Sequence, residues 1–273
     1  MNEGTSDILI IIAHPDDEVF GSGTLCLCAE KGFKISLACA TDGEGGSSDG
    51  RPDVLLGEIR RRELSLSARV LGVSDVCFLG QPDSAHPDAE GDGSWDQPGL
   101  IRKLAEMIRQ QNPQLILTHG PQGGYGHPAH RLVYRSVVAA TQAVSFAGSI
   151  FSFCGKVDGA FFSWHFDQPG DVMVDARSFL SRRTASLSCH QTQLAYFVQP
   201  PFPRSLRKIA SALFGFTFAF TEAGRKRLPI ATPARFFRKF PVEGLVLQKA
   251  PAAGRPHFFR EHFSSDHRVQ INR

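Results

Sequence analysis

The sequence lacks the features that mark several classes of protein. Its six cysteines include no Cys-x-x-Cys pair, which argues against a thiolate zinc motif or a disulfide framework. The acidic first seven residues are unlike a signal peptide, and the longest later apolar stretch, residues 212–220, is too short to cross a bilayer. No internal repeat is visible. We therefore expect a cytoplasmic globular protein without a transmembrane segment, whose cysteines are reduced core thiols.

The charge is unevenly distributed along the chain. The whole protein carries a net +3, but residues 203–273 hold 14 lysines and arginines against four acidic residues. That segment is therefore +10, and residues 1–202 are −7. A basic, aromatic-rich segment suits an anionic substrate, a membrane surface or a partner, and equally a plain solvated surface. No recognised nucleic-acid-binding module accompanies it, so we expect no nucleic-acid partner.

Strand-like and helix-like segments alternate along the first half of the chain. Strands are predicted at 7–13, 34–40, 76–79 and 114–118, and helices at 21–31, 55–71, 98–110 and 127–144. Later strands are predicted at 159–164 and 171–174, with a helix at 176–188. The pattern predicts an α/β fold, a Rossmann-like open, mostly parallel sheet with helices on both faces. We divide the chain into an α/β domain, residues 1–200, and a C-terminal extension packed on it, residues 201–273.

Long polar loops follow the four early strands, at 14–18, 41–53, 80–96 and 119–126. The carboxyl ends of parallel strands meet at one edge of a sheet, and ligands bind there in open α/β folds. We therefore expect these loops to form the rim of one active site.

Two short motifs in these loops carry histidines and carboxylates. Ala-His-Pro-Asp-Asp-Glu, residues 13–18, directly follows the apolar run at 8–12. His-Pro-Ala-His, residues 127–130, opens a helix, and Pro128 suits the first helical position. The two motifs are predicted to lie at neighbouring strand ends, so their polar groups can meet in space.

Four side chains from these motifs are candidate metal ligands: His14, Asp17, His127 and His130. A His₂-carboxylate zinc site uses three protein ligands and keeps an open position for water. The alternative is structural. Consecutive acids also favour the N-terminus of a following helix, His127 could cap a helix, and His130 could lie on the surface.

The first motif resembles the signature of the LmbE-like, or PIG-L-like, zinc-dependent deacetylases. Further segments resemble elements of that family in the same order, at residues 41–46, 60–72, 82–84, 125–130 and 189–193, the last a His-x-[Ser/Thr]-Gln element. The resemblance covers residues 7 to about 195. Members of the family hydrolyse N-acetyl groups, typically on N-acetylglucosamine units of glycoconjugates or glycosylated thiols.

The resemblance implies a role for nine residues. It implies that Zn²⁺ is bound by His14, Asp17 and His130, and Fe²⁺ suits the same ligands. It implies that catalysis uses Asp16 as general base, with His127 and Tyr125 near the oxyanion. It implies that the sugar is contacted by Arg60, Asp83 and Glu44. These roles agree with amide hydrolysis, which needs an activated water and a stabilised tetrahedral oxyanion.

One position departs from the family pattern. The family commonly has an acid between the two histidines of the second motif, and here that residue is Ala129. The acid would orient His127 and raise its pKa. Without it, another carboxylate takes its place, or His127 acts as a neutral hydrogen-bond donor, or catalysis is slower.

The leading hypothesis is a zinc hydrolase that removes the acetyl group from a small N-acetylglucosamine-type sugar conjugate. The basic segment would suit an anionic conjugate. A second hypothesis keeps the chemistry but changes the substrate to a non-sugar amide or a thiol conjugate. A third is a non-catalytic protein that binds a metal or a sugar. The sequence does not indicate the oligomeric state.

Overall fold

The computed structural model describes residues 6–46, 53–83, 94–124, 126–154, 170–194, 233–239 and 241–272. The strands are β1 (Ile8–Ile12), β2 (Ile35–Thr41), β3 (Asp75–Gln81), β4 (Leu115–Thr118), β5 (Ser149–Cys154), β6 (Val172–Asp175), β7 (Val242–Lys249) and β8 (Val269–Ile271). The α-helices are α1 (Ser22–Glu30), α2 (Asp53–Leu71), α3 (Gln97–Gln111), α4 (Pro128–Ala143), α5 (Leu180–Cys189), α6 (Pro233–Lys239) and α7 (Phe258–Phe263). Short 3₁₀ helices precede α1 and α5, at Asp17–Gly21 and Arg177–Phe179.

The strands form one sheet in the order β3-β2-β1-β4-β5-β7-β6-β8. Strands β1 to β5 pair in parallel, whereas β7 runs antiparallel to β5 and β6, and β8 antiparallel to β6. This confirms the predicted open, mostly parallel sheet. The chain order reverses between β1 and β4, and a crevice at such a switch point is where ligands bind in this class of fold.

β1 lies at the centre of the sheet and is buried on both faces, which explains its uninterrupted apolar sequence. Its alternate side chains enter two different hydrophobic clusters. Ile8, Ile10 and Ile12 pack with residues of α1, α2 and α7, whereas Leu9 and Ile11 pack with residues of α3 and α4. Helices therefore cover both faces of the sheet, as predicted.

The late strands differ most from the sequence prediction. The predicted strand at 159–164 lies outside the described residues, whereas β5, β7 and β8 were not predicted. β7 comes from the C-terminal segment and lies between β5 and β6. Its Glu243 is buried against the start of α1, where it accepts the backbone N–H groups of Gly23 at 2.7 Å and Thr24 at 2.8 Å. The described part of residues 201–273 thus completes the same sheet.

The described residues bear on two expectations from the sequence, reduced cysteines and the absence of a transmembrane segment. Cys26, Cys28, Cys39, Cys77 and Cys189 are free thiols, and the first three of them are buried. Among the described helices, none is both long and apolar enough to span a membrane.

Candidate active site

Two histidines and one carboxylate converge beyond the carboxyl ends of β1 and β4. His130 Nε2 lies 3.2 Å from Asp17 Oδ1 and 3.3 Å from His14 Nδ1, which lies 3.5 Å from the other Asp17 oxygen. All three side chains are buried. In a tetrahedral zinc site with ligand bonds of about 2.0–2.1 Å, donor atoms stand about 3.3–3.4 Å apart. The three predicted ligands therefore come together at separations that fit one metal ion.

Each of these three groups is oriented by a further hydrogen-bonding partner. His130 Nδ1 lies 3.2 Å from the Gly123 carbonyl oxygen, and His14 Nε2 lies 3.4 Å from Asp83 Oδ1. Asp17 Oδ2 accepts the His14 backbone N–H at 2.8 Å. Because carbonyl and carboxylate oxygens only accept, these contacts place the ring protons on the outward nitrogens. The inward nitrogens, His14 Nδ1 and His130 Nε2, then face each other, and a metal ion between them would replace the proton that they otherwise share.

The charges at the site support the same conclusion. Burial lowers the pKa of His14, but the carboxylates of Asp17 and Asp83 outweigh it and raise the pKa to about 10. Burial also lowers the pKa of His130, to about 4. Despite burial, His130 and His119 hold the pKa of Asp17 well below its ordinary value. In the metal-free protein a proton on His14 therefore offsets the carboxylates, and a bound cation would displace it.

Asp16, the predicted general base, is the accessible member of three consecutive acids. Its side chain is 17% exposed, compared with 4% for Asp17 and 0% for Glu18. Its backbone is left-handed, with φ 106°, a conformation that costs a residue other than glycine about 1–3 kcal/mol. Burial raises the pKa of Asp16 to about 7, against the opposing effect of the Arg60 guanidinium. A partly exposed carboxylate on a strained backbone, next in sequence to a candidate metal ligand, is typical of a functional group.

His127 stands at the N-terminus of α4, beside the candidate ligands, and is partly buried. Its ring centroid is 4.7 Å from those of both His14 and His130. Burial and the neighbouring His14 and His130 lower the pKa of His127 to about 3. Ala129 points away from this group and packs in the cluster formed with α3. Tyr125 lies outside the described residues.

The three residues predicted to contact a sugar all touch parts of the site itself. Arg60 is buried and donates to the carbonyl oxygens of Gly43 at 2.7 Å and Pro15 at 2.6 Å, and to Asp16 Oδ2 at 3.3 Å. Glu44 Oε1 accepts the backbone N–H of Asp83 at 2.9 Å. The Asp83 side chain faces His14, as described above. These contacts add orientation of the base and the ligands to the predicted role in substrate binding, which stays a prediction.

His119 belongs to the site but was not predicted. It directly follows β4, is buried, and stacks on His130 with ring centroids 3.9 Å apart. Together with Asp17 and His130 it forms a group of metal-ligand type, as His14, His127 and His130 also do. However, its Nε2 accepts the backbone N–H of Ala13 at 3.0 Å, which occupies the lone pair that a metal would need. The sequence signal that could have identified His119 is a polar residue directly after a strand that neighbours β1.

Comparisons with known proteins identify the family of this chain. A family model described as PIG-L, GlcNAc-PI de-N-acetylase, matches residues 9–141. A 1D-myo-inositol 2-acetamido-2-deoxy-alpha-D-glucopyranoside deacetylase of Acidothermus cellulolyticus is 31% identical over 260 residues, which cover 77% of this chain and 87% of that protein. A protein of the same name from Thermomonospora curvata is 30% identical over 273 residues, covering 79% and 90% of the two chains.

Two solved structures share the fold. The 4-carboxy-2-hydroxymuconate hydratase GalB of Pseudomonas putida KT2440 superposes with a TM-score of 0.59 at 18% identity, covering 93% of this chain and 99% of GalB. N,N'-diacetylchitobiose deacetylase from Pyrococcus horikoshii superposes with a TM-score of 0.54 at 21% identity, covering 89% and 84%. One neighbour is thus named for hydration and the other for deacetylation, so the fold alone does not select the reaction.

Proposed function

Because this chain belongs to the PIG-L family of N-acetylglucosaminyl deacetylases, we propose that it is a metal-dependent hydrolase that removes the acetyl group from an N-acetylglucosamine-type sugar conjugate. The observation that carries the proposal is the convergence of His14, Asp17 and His130 around one point, next in sequence to the partly exposed carboxylate of Asp16. Relatives at about one-third identity are named for deacetylation of a glucosaminide of inositol.

The metal would be held by His14, Asp17 and His130, and Zn²⁺ is the ion proposed, since two imidazoles and one carboxylate are a common catalytic zinc set. The same donors suit Fe²⁺. When bound, such an ion supplies a Lewis acid for the carbonyl oxygen and lowers the pKa of a coordinated water to about 7. Asp83 and Gly123 keep the two imidazoles in the tautomers that this binding needs.

Asp16 accepts the proton of the attacking water. It is the one of the three consecutive acids whose carboxylate is partly exposed, while those of Asp17 and Glu18 are buried. As the C–N bond breaks, the proton on Asp16 is available to the departing amine, so that one carboxylate serves both transfers. The products are acetate and the free amine of the sugar.

His127 donates a hydrogen bond to the carbonyl oxygen as negative charge develops on it. Its place beside His14 and His130 suits that role, and a neutral imidazole also donates a hydrogen bond, although a weaker one than an imidazolium does. With Ala129 in the family's acidic position, neutral donation is the outcome we favour among those left open by the sequence. Tyr125 assists in the same way.

The substrate is a small conjugate whose sugar is bound at the rim by Arg60, Asp83 and Glu44. The alternative substrate is a non-sugar amide or a thiol conjugate. It differs from the proposed sugar conjugate in the acyl and aglycone groups that the rim must accept. The basic C-terminal segment suits an anionic aglycone.

The test is a deacetylase assay on protein whose metal content is measured in the same preparation. The panel contains N-acetylglucosaminyl inositol, N-acetylglucosamine, a simple N-acetyl amine and 4-carboxy-2-hydroxymuconate. We expect acetate release from the first substrate, its loss in Asp16→Asn, and unchanged zinc content in that variant. A protein with one bound zinc that releases no acetate from any N-acetyl compound would refute the proposed function.

A further inference from the structure

A buried carboxylate lies directly behind the proposed base. Glu18 is fully buried, and its Oε2 accepts the backbone N–H of Asp16 at 3.1 Å. Its Oε1 accepts from the Ser67 hydroxyl and from His190 Nε2, each at 2.5 Å. Ser67 Oγ also lies 2.7 Å from the hydroxyl of Ser186. We call Glu18, Ser67, Ser186 and His190 the Glu18 network.

The network joins three separate parts of the fold. Glu18 is in the 3₁₀ helix after β1, Ser67 is in the second half of α2, and His190 is the residue that follows α5. Ser67 and Arg60 are seven residues apart, so they lie on the same face of α2, two turns from each other. α2 therefore contacts the Asp16 region through both the guanidinium and the Glu18 carboxylate.

The turn that carries His190 is fastened to α2 independently. The Thr192 backbone N–H donates to Glu63 Oε1 at 2.9 Å, and its hydroxyl donates to Glu63 Oε2 at 2.6 Å. These bonds fix the segment at 189–193, which resembles an element of the family in sequence but supplies no candidate metal ligand and no candidate base. In the structure this segment brings His190 to Glu18.

The left-handed backbone of Asp16 explains why such a network is needed. A side chain disfavours φ 106°, so the conformation persists only where neighbouring groups over-determine it. Three bonds do so here. Glu18 holds the Asp16 amide, while Arg60 holds the carbonyl of Pro15 and one Asp16 oxygen. A Glu18 carboxylate left without His190 and Ser67 would be free to turn away from that amide.

We propose that Glu18 and His190 are positioning residues, which hold the Asp16 backbone in its left-handed conformation and thereby fix the direction of its carboxylate. The inference rests on the proposed function for its catalytic consequence, because Asp16 is taken as the base. The backbone contact itself does not depend on that function and can be measured separately.

The test compares Glu18→Ala with Glu18→Gln, which retains an acceptor for the Asp16 amide. Glu243→Gln is the matched control, because Glu243 is also a buried carboxylate that accepts backbone N–H groups but does not touch Asp16. Two quantities are measured at saturating zinc: kcat and KM per bound zinc on N-acetylglucosaminyl inositol, and exchange of the Asp16 amide by NMR relative to the Ile10 amide of β1. Ser67→Ala is the milder variant if Glu18→Ala does not fold.

In Glu18→Ala we expect kcat to fall about 10–100-fold, as is typical when an outer partner of a site is removed, with KM little changed. The Asp16 amide should exchange at least about tenfold faster relative to Ile10, because its acceptor is gone. Glu18→Gln should restore most of the kcat and most of the protection of the Asp16 amide. Ser67→Ala should change both quantities in the same direction as Glu18→Ala, but less. Glu243→Gln should lower thermal stability without changing kcat.

The proposal is overturned if the relative exchange of the Asp16 amide is unchanged in Glu18→Ala, or in Ser67→Ala should that be the variant that folds. It is also overturned if Glu243→Gln loses kcat to the same extent for an equal loss of stability. If the wild-type protein releases no acetate at all, the proposed function fails, and the exchange measurement alone decides whether the network holds Asp16.

Discussion

Two roles of Asp83, contact with the sugar and orientation of His14, can be separated by experiment. The family resemblance implies that it contacts the sugar, whereas its Oδ1 lies 3.4 Å from His14 Nε2 in the structure. A carboxylate in that place accepts the Nε2 proton, fixes the ring tautomer and increases the basicity of the nitrogen that faces the metal. We predict that Asp83→Ala weakens zinc binding, and that the loss is not confined to substrate affinity.

The expected size of the effect follows from the contact. Removing such an outer partner costs about 10–100-fold in metal affinity, or about 1.4–2.7 kcal/mol at 25 °C. Both side chains are at least nine-tenths buried, which limits screening by solvent, but 3.4 Å is longer than an ideal hydrogen bond. We therefore expect the lower half of that range, about 10–30-fold, for Asp83→Ala. Asp83→Asn keeps a neutral acceptor, and we expect a loss below about tenfold.

The measurement is a zinc titration in competition with a fluorescent chelator, which gives Kd without any substrate. The same preparations then give kcat and KM at saturating zinc. A zinc Kd within about twofold of the wild-type value, combined with a raised KM, would refute the ligand-orienting role and assign Asp83 to uniform substrate binding instead.

Three further predictions concern stability. Glu243→Ala removes the acceptor for the start of α1 and also removes the carboxylate that lies 3.0 Å from the buried Arg183. Urea unfolding should therefore show that the free energy of unfolding falls by about 3–5 kcal/mol. A fall of less than about 1 kcal/mol would contradict this account. Free Zn²⁺ at 100 times its Kd should raise the free energy of unfolding by about 2.7 kcal/mol, and a thermal melt of His130→Ala should show no such shift unless the metal binds elsewhere. Gly23→Ala should cost about 1–3 kcal/mol in urea unfolding, because the new Cβ would lie 2.3 Å from that of Ala176, and an unchanged midpoint would mean that the contact relaxes freely.

The early strands and the ligands could be predicted because their signals are local. The apolar run at Ile8–Ile12 needs both faces covered, and the polar residues that follow it mark the strand end. Parallel strands bring all such ends to one edge, so His14, Asp17 and His130 could be placed together without knowing any coordinate. The structure brings these three side chains together as predicted.

Other parts of the site could not be predicted, because they depend on residues far apart in the chain. His119 lies at the end of β4, yet nothing near it in sequence indicates that its Nε2 meets the Ala13 amide. β7 is a plausible strand by composition, but its place between β5 and β6 is decided only when the sheet assembles. Its Glu243 then reaches α1, some 220 positions earlier in the chain.

The sequence by itself determined the fold class and the sheet edge at which the four candidate ligands gather, since hydrophobic period and strand ends are properties of short segments. The resemblance to the family then selected three of those four. Only the tertiary structure decided how those groups are oriented. The tautomers of His14 and His130, the left-handed backbone of Asp16 and its support by Glu18 each depend on hydrogen bonds whose partners come from another loop or helix. Hydrogen bonds are directional and short, so a sequence can name the groups but packing must bring them within reach.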